Sequence, residues 1–190
     1  NFTSGTAKTA ANRFGTPSKV HFQNNNLFVV EFGNNRVVRF NNVRSISSNQ
    51  PTADVVFGQP DFSTVSSGLT SAKLSGPSGV VVDGSGRLYV SDQSNNRVLI
   101  FPDAFSASNG PTASNVLGQP DFISRIGATT STSLGVPDDI GIDVPNKKLF
   151  VVDAANNRVL QYTASSALPV QISSFKAVVR GSSNQLGWRT

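Results

Sequence analysis

The sequence predicts an all-β chain built from three four-stranded antiparallel units in series. Two observations carry this. A motif set repeats about every 60 residues, and the apolar runs within each repeat have the length of strands. Asn35-Arg36-Val37, Asn96-Arg97-Val98 and Asn157-Arg158-Val159 recur at a spacing of 61 residues, then 61 again. Gly58-Gln59-Pro60-Asp61-Phe62 returns 60 residues later as Gly118-Gln119-Pro120-Asp121-Phe122, and Pro17, Pro77 and Pro137 keep the same step. A fixed period of this kind marks a repeat architecture and has to be found before secondary structure is assigned.

Each repeat supplies the elements in the same order. The first apolar run is Val20–Phe22, Val80–Val82 or Ile140–Ile142. The second is Leu27–Val30, Leu88–Val90 or Leu149–Val152, and the third is Val37–Phe40, Val98–Phe101 or Val159–Tyr162. A fourth is Val55–Phe57 or Val116–Leu117. These runs are rich in Val, Ile, Phe and Tyr, and Gly, Asn or Pro clusters bound them, as strands require. Asp83-Gly84-Ser85-Gly86 and Gln23-Asn24-Asn25-Asn26 read as hairpin turns between the first two strands, because Gly and Asn tolerate positive φ. In the third repeat both Val178–Gly181 and Gln185–Gly187 align with the fourth strand. The Ser/Thr-rich stretches 1–16, 61–76 and 121–136 read as connections, leaving units at about 17–60, 77–120 and 137–187. Pro102–Pro111 reads as a surface loop with a helical turn near Asp103-Ala104-Phe105.

Four short strands per repeat, repeated, is the pattern of a β-propeller blade, which needs neighbouring blades to cover its two faces. The stretch Gly79-Val80-Val81-Val82-Asp83, then Gly86 to Asp92, then Asn95-Asn96-Arg97-Val98, resembles the NHL-repeat family. The likeness recurs at Asp153…Asn156-Asn157-Arg158-Val159 and at Glu31…Asn34-Asn35-Arg36-Val37, where Glu replaces the usual Asp. The Gly-Gln-Pro-Asp-Phe element is similar to that of long-repeat members in large secreted or surface proteins. The resemblance implies three blades of a six-bladed NHL-type β-propeller used for binding, although some relatives are enzymes. Three blades are half of such a ring, and open blade faces invite association with further blades or other copies.

Composition limits the chemistry. The 190 residues hold no Cys and one His, which excludes disulfides, thiolate sites and multi-His metal centres. The chain starts at Asn1 and has no Met, the expectation for a processed chain or a segment of a longer one. A surface rich in Ser, Thr and Asn reads as extracellular or cell-surface, and no apolar stretch is long enough to span a bilayer. The net charge of +5 is spread over scattered Arg residues, so nucleic acid is an unfavoured partner and acidic glycans remain compatible.

Three sets of residues were candidates for chemistry. Glu31, Asn35 and Arg36, with Asp92, Asn96 and Arg97 and with Asp153, Asn157 and Arg158, read as a turn clamp between second and third strands; a ligand-binding Arg ring is the alternative. His21 stands alone without a triad partner. Asp83, Asp143, Gln23 and Asp138-Asp139 are oxygen donors for calcium or, more simply, hairpin residues. Phe2, Phe62, Phe122 and Trp188 read as blade-junction aromatics, and Asn1-Phe2-Thr3 is an N-glycosylation sequon. No catalytic set, metal site or cofactor is called for. The leading expectation is a non-enzymatic module for protein assembly that associates through open blade faces. A fragment of a propeller enzyme, with its catalytic residues outside the chain, and an RNA-binding propeller stay open.

Overall fold

The computed structural model describes residues 10–163 and the backbone of 171–174. Three four-stranded antiparallel sheets follow one another along the chain, each a simple meander. The first holds β1 (Pro17–Gln23), β2 (Asn26–Glu31), β3 (Arg36–Phe40) and β4 (Val55–Phe57). The second holds β5 (Pro77–Val82), β6 (Leu88–Asp92), β7 (Arg97–Phe101) and β8 (Asn115–Leu117). The third holds β9 (Pro137–Asp143), β10 (Lys148–Asp153), β11 (Arg158–Thr163) and β12 (Gln171–Ser174). No α-helix occurs among the described residues, and no helix there is long and apolar enough to cross a membrane. This is the all-β blade series that the repeat implies.

The register shows how one repeat makes one blade. Val80 pairs with Val90, Val90 with Leu99 and Leu99 with Val116, so one row of apolar side chains crosses all four strands on one face. The first sheet repeats it as Val20, Val29, Val38 and Val56. Alternate residues point to the opposite face. Both faces of the middle sheet are therefore apolar, and a neighbour covers each. Phe28, Val30, Val37 and Phe57 of the first sheet share a core with Val80, Val82, Leu88 and Leu99 of the second. Val81, Tyr89, Val98 and Ile100 share another with Ile140, Val151, Leu160 and Tyr162 of the third. Phe57 and Phe101 meet edge to face, centroids 5.4 Å apart, across the first of these junctions.

Two expectations need correction. The fourth strand of the third sheet is Gln171–Ser174, paired with β11 from Leu160↔Ser174 to Thr163↔Gln171. It is neither of the two later segments, Val178–Gly181 and Gln185–Gly187, which lie outside the described residues. The reason is loop length: residues 102–114 separate the third and fourth strands of the second sheet, but only 164–170 do so in the third. Alignment by repeat phase therefore overshot. The segment after β7 also forms no helical turn and is only partly a surface loop. The Asp103 carboxylate accepts from the Phe105 and Ser106 N–H groups at 2.9 and 3.0 Å, bending the chain inward. Ala104 is fully buried and Phe105 packs on Phe28 at 6.3 Å.

Candidate functional site

The repeated Asp/Glu–Asn–Arg cluster forms around a single 3-10 turn between second and third strands. The turns are Phe32–Asn34, Gln93–Asn95 and Ala154–Asn156. Each ends on an Asn in the left-handed region: Asn35 at φ 51°, Asn96 at 52° and Asn157 at 50°. Asn tolerates this conformation better than other side-chain-bearing residues, because its short amide bonds locally. The turn brings the flanking residues into register, so Glu31 pairs with Arg36, Asp92 with Arg97 and Asp153 with Arg158.

In the middle sheet Arg97 Nε donates to Asp92 Oδ2 at 2.7 Å. Its Nη1 donates to the Phe122 carbonyl at 2.6 Å, and Nη2 donates to the Thr70 and Lys73 carbonyls, both at 2.9 Å. Asp92 accepts further from Asn95 Nδ2 at 2.8 Å and from the Ser75 N–H at 2.6 Å. Both side chains are 0% exposed. Burial pushes the Asp92 carboxyl up, against the opposing pull of Arg97, Asn95 and the Ser75 N–H. The first sheet repeats the arrangement with Arg36 on Glu31 Oε1 at 2.9 Å and on the carbonyls of Phe62, Ala10 and Arg13. The third repeats it with Arg158 on Asp153 Oδ2 at 2.6 Å and on the carbonyls of Thr129, Thr130 and Ser133. The Arg158 side chain is 18% exposed, unlike the other two. Charge-assisted bonds of this kind are the strong ones. Arg36 and Arg97 each tie a strand pair to the connections before and after it, whereas Arg158 bonds carbonyls of the connection before it.

The second Asn of each pair performs a different task. Asn35 Nδ2 donates to the Val65 carbonyl at 2.9 Å, while its Oδ1 accepts from the Gly76 N–H at 2.8 Å. Asn96 bonds the Arg125 carbonyl and the Val136 N–H at 2.9 and 2.7 Å. These amides link one sheet to the entry of the next. The first Asn of each pair, part of the repeated Asn-Asn-Arg pattern but not among the clamp residues named from sequence, completes the clamp: Asn34, Asn95 and Asn156 donate to its carboxylate at 2.6, 2.8 and 2.9 Å. Their recurrence in all three copies was the available signal.

Gly-Gln-Pro-Asp-Phe now has a physical reading. Gly58 and Gly118 adopt φ of +84° and +86°, and a Cβ on either would come within 2.4 or 2.5 Å of Leu74 or Leu134. Gln59 is buried and its Nε2 donates to the Asn35 and Ser66 carbonyls at 2.8 and 3.0 Å; Gln119 does the same to Asn96 and Ile126. Asp61 turns the chain by accepting from Ser63 and Thr64, and the side-chain bond from Ser63 leads in lowering its pKa to about 2. Phe62 and Phe122 place their carbonyls on Arg36 and Arg97.

The other candidates are dispersed. His21 Nε2 sits 3.1 Å from Gln23 Oε1, with its ring against Phe28. Asp83 accepts from the Ser85 and Arg87 N–H groups, from Arg87 Nε at 2.6 Å and from the Tyr89 hydroxyl at 3.0 Å. Burial alone would raise its carboxyl, but the bonds from Arg87 and Ser85 outweigh that and hold it below the ordinary value. Asp143 accepts from Asn146, Asp138 from Gln93, and Asp139 from Lys19 at 2.5 Å. Gln23 donates instead to the Asp83 carbonyl. No group of three or more His, Asp or Glu able to hold a metal occurs among the described residues. Asn1, Phe2 and Trp188 lie outside them.

Comparison with known proteins agrees on the architecture. Residues 74–101, from the entry of the second sheet to the end of β7, match the family model of the NHL repeat. An auxiliary nutrient binding protein from Bacteroides ovatus ATCC 8483 superposes with a TM-score of 0.52 at 15% identity, over 83% of this chain. This chain spans only 38% of that protein. A streptogramin B lyase aligns over 89% of this chain and 56% of its own, at 13% identity and a TM-score of 0.40. No curated protein matches the chain significantly. Residues 74–101 thus match an NHL repeat, within a series of three β-propeller-type blades.

Proposed function

We propose that the chain is a non-enzymatic repeat module of an extracellular or cell-surface protein, acting in assembly by packing its outward blade faces against other protein. One observation carries this reading. Each end face exposes some of the apolar positions that are buried at the internal junctions, although Val29 and Val38 of the first sheet stay buried. Val20 is 60% exposed and Phe22 49%, whereas their counterparts Val80 and Val82 are fully buried. At the other end Val152 is 36% exposed, against 0% for its counterpart Val30. Exposed apolar rows on a sheet face cost free energy until covered, so covering them drives association.

On this reading the clamps are structural. Arg36 and Arg97 are buried and their nitrogens are spent on protein acceptors, which keeps the faces rigid and leaves those forks no room for an anion. The extracellular placement rests on a composition rich in Ser, Thr and Asn and poor in Lys and Glu. Sedimentation of the 20.0 kDa chain over a hundredfold range of concentration is the test. A mass that rises with concentration is expected; a sharp 20 kDa species throughout would overturn the reading.

A further inference from the structure

We infer that the cleft between the hairpins of the second and third sheets is a binding site for a small aromatic carboxylate. The cleft belongs to an internal junction, with a sheet on each side, and is separate from the end faces of the assembly reading. It encloses about 200 Å³. Asp83, Ser85 and Arg87 form one wall; Ile142, Val144 and Lys147 form the other. Ligand sites commonly reach ~300–1,000 Å³, so this one suits a single ring rather than a string of units.

The junction between the first and second sheets shows what such a place holds. There the Phe105 ring lies against Phe28 of the first sheet at 6.3 Å and against the hairpin of the second, where a Cβ on Gly86 would meet it at 3.1 Å. The Gln23 amide bridges the same two hairpins by donating to the Asp83 carbonyl at 3.0 Å. Neither feature recurs one junction further on. Asp83 stands where Gln23 does, yet its carboxylate folds back on its own hairpin, accepting from Ser85, Arg87 and the Tyr89 hydroxyl. Lys147 takes the place of Gly86, with φ of 53° against 85°, and Tyr89 takes the place of Phe28. Residues 164–170, which follow β11 as Phe105 follows β7, include no aromatic residue. The place that a Phe ring fills at one junction is thus open at the next among the described residues.

The charges around the cleft select an acid. Lys147 is exposed, and its ammonium has no partner among the described residues. Asp83 and Arg87 pair with each other, Nε to Oδ2 at 2.6 Å. Asp143 turns onto Asn146, accepting from its N–H and its Nδ2 at 3.2 and 2.7 Å. The rim therefore carries one cation with no carboxylate bonded to it. Ile142 is half-buried and Val144 is 40% exposed, and together they offer a ring an apolar wall. A ring seated there presents its carboxylate to Lys147, and the Ser85 hydroxyl across the cleft is a second donor. Charge-assisted bonds in such a partly desolvated place are stronger than in open water.

Benzoate is the probe, titrated into the chain and followed by backbone amide shifts in proton–nitrogen correlation spectra. Saturable shifts are expected at Gly84, Ser85, Val144 and Lys147, with a Kd on the order of 1 mM for a ligand of about nine non-hydrogen atoms. Benzamide, which keeps the ring and lacks the charge, should bind about tenfold more weakly, and so should benzoate to Lys147→Gln. Acetate, which lacks the ring, should leave those amides unmoved at the same concentration. Val144→Phe supplies a ring from within, at an exposed position, and should abolish binding. Circular dichroism verifies that both variants keep the parent's fold; the benzamide and acetate comparisons use the parent chain and stand whatever the variants do. The inference is overturned if benzoate at about 20 mM shifts none of these amides, or shifts only amides elsewhere. It is equally overturned if acetate shifts them as far, or if benzamide or either variant binds as tightly as benzoate and the parent do.

Discussion

Replacing Arg97 with Ala should cost the chain much of its stability. The guanidinium makes four hydrogen bonds and is fully buried. Its loss strands the Asp92 carboxylate, 0% exposed, with only the Asn95 and Ser75 donors, and it frees the Phe122, Thr70 and Lys73 carbonyls. Removing one member of a buried ion pair costs about 3–5 kcal/mol. Each orphaned carbonyl would add about 1–3 kcal/mol if it stayed dry, but the vacated space admits water, so about 4 kcal/mol is a fair total. For a domain of this size that lowers the melting temperature by roughly 8–16 °C. Arg158→Ala is the internal comparison. Its side chain is partly exposed, water already reaches the bonds it makes to Thr129 and Thr130, and about 2 kcal/mol is expected. Thermal and urea unfolding followed by circular dichroism measure both. An Arg97→Ala protein within about 1 kcal/mol of the parent, or no less stable than Arg158→Ala, would refute the clamp.

Further outcomes follow from the same geometry. Gly58→Ala should destabilise by about 1–3 kcal/mol, since its positive φ and the Leu74 side chain both oppose a Cβ, whereas Gly141→Ala should leave the melting temperature of the single chain unchanged. Asn96→Ala loses two inter-sheet bonds and should cost about 2 kcal/mol more than Asn157→Ala in the unassociated chain, by unfolding in urea. Asp61, Asp103 and Asp121 are each held below the ordinary carboxylate range, led by side-chain bonds from Ser63, Ser106 and Ser124. A depressed folded value means that stability is present above the unfolded pKa, near 4, and is lost as pH falls through the folded one, about 2 for Asp61. The melting temperature should therefore drop between pH 4 and pH 2, and Asp61→Asn should flatten that drop; an identical pH profile would refute the assignment.

Much of the fold was legible because a repeat states its own period. Asn35, Asn96 and Asn157 at one phase located the turns, and short Val/Ile/Phe runs between Gly and Asn clusters located the strands. Strand β12 was not legible. Loop length is weakly constrained by energy, since closing a somewhat longer loop costs little, so the phase of the third repeat could slip without penalty. The inward turn of Ala104 was hidden for a related reason: a polar run around one small apolar residue reads as surface until a neighbouring sheet offers it a pocket.

By itself the sequence determined which residues are equivalent, and so that Arg36, Arg97 and Arg158 stand at one position of the repeat. Local chemistry suffices for that, because φ preference and strand propensity act over a few residues. Only the tertiary structure decided what the equivalent residues touch. Phe62 and Phe122 bring carbonyls to an Arg about 25 residues away, and Val20 and Val152 differ from Val80 and Val30 in being exposed, with no sheet over them among the described residues. Burial is a property of the neighbour, and the sheets at either end of a series carry a neighbour on one side alone.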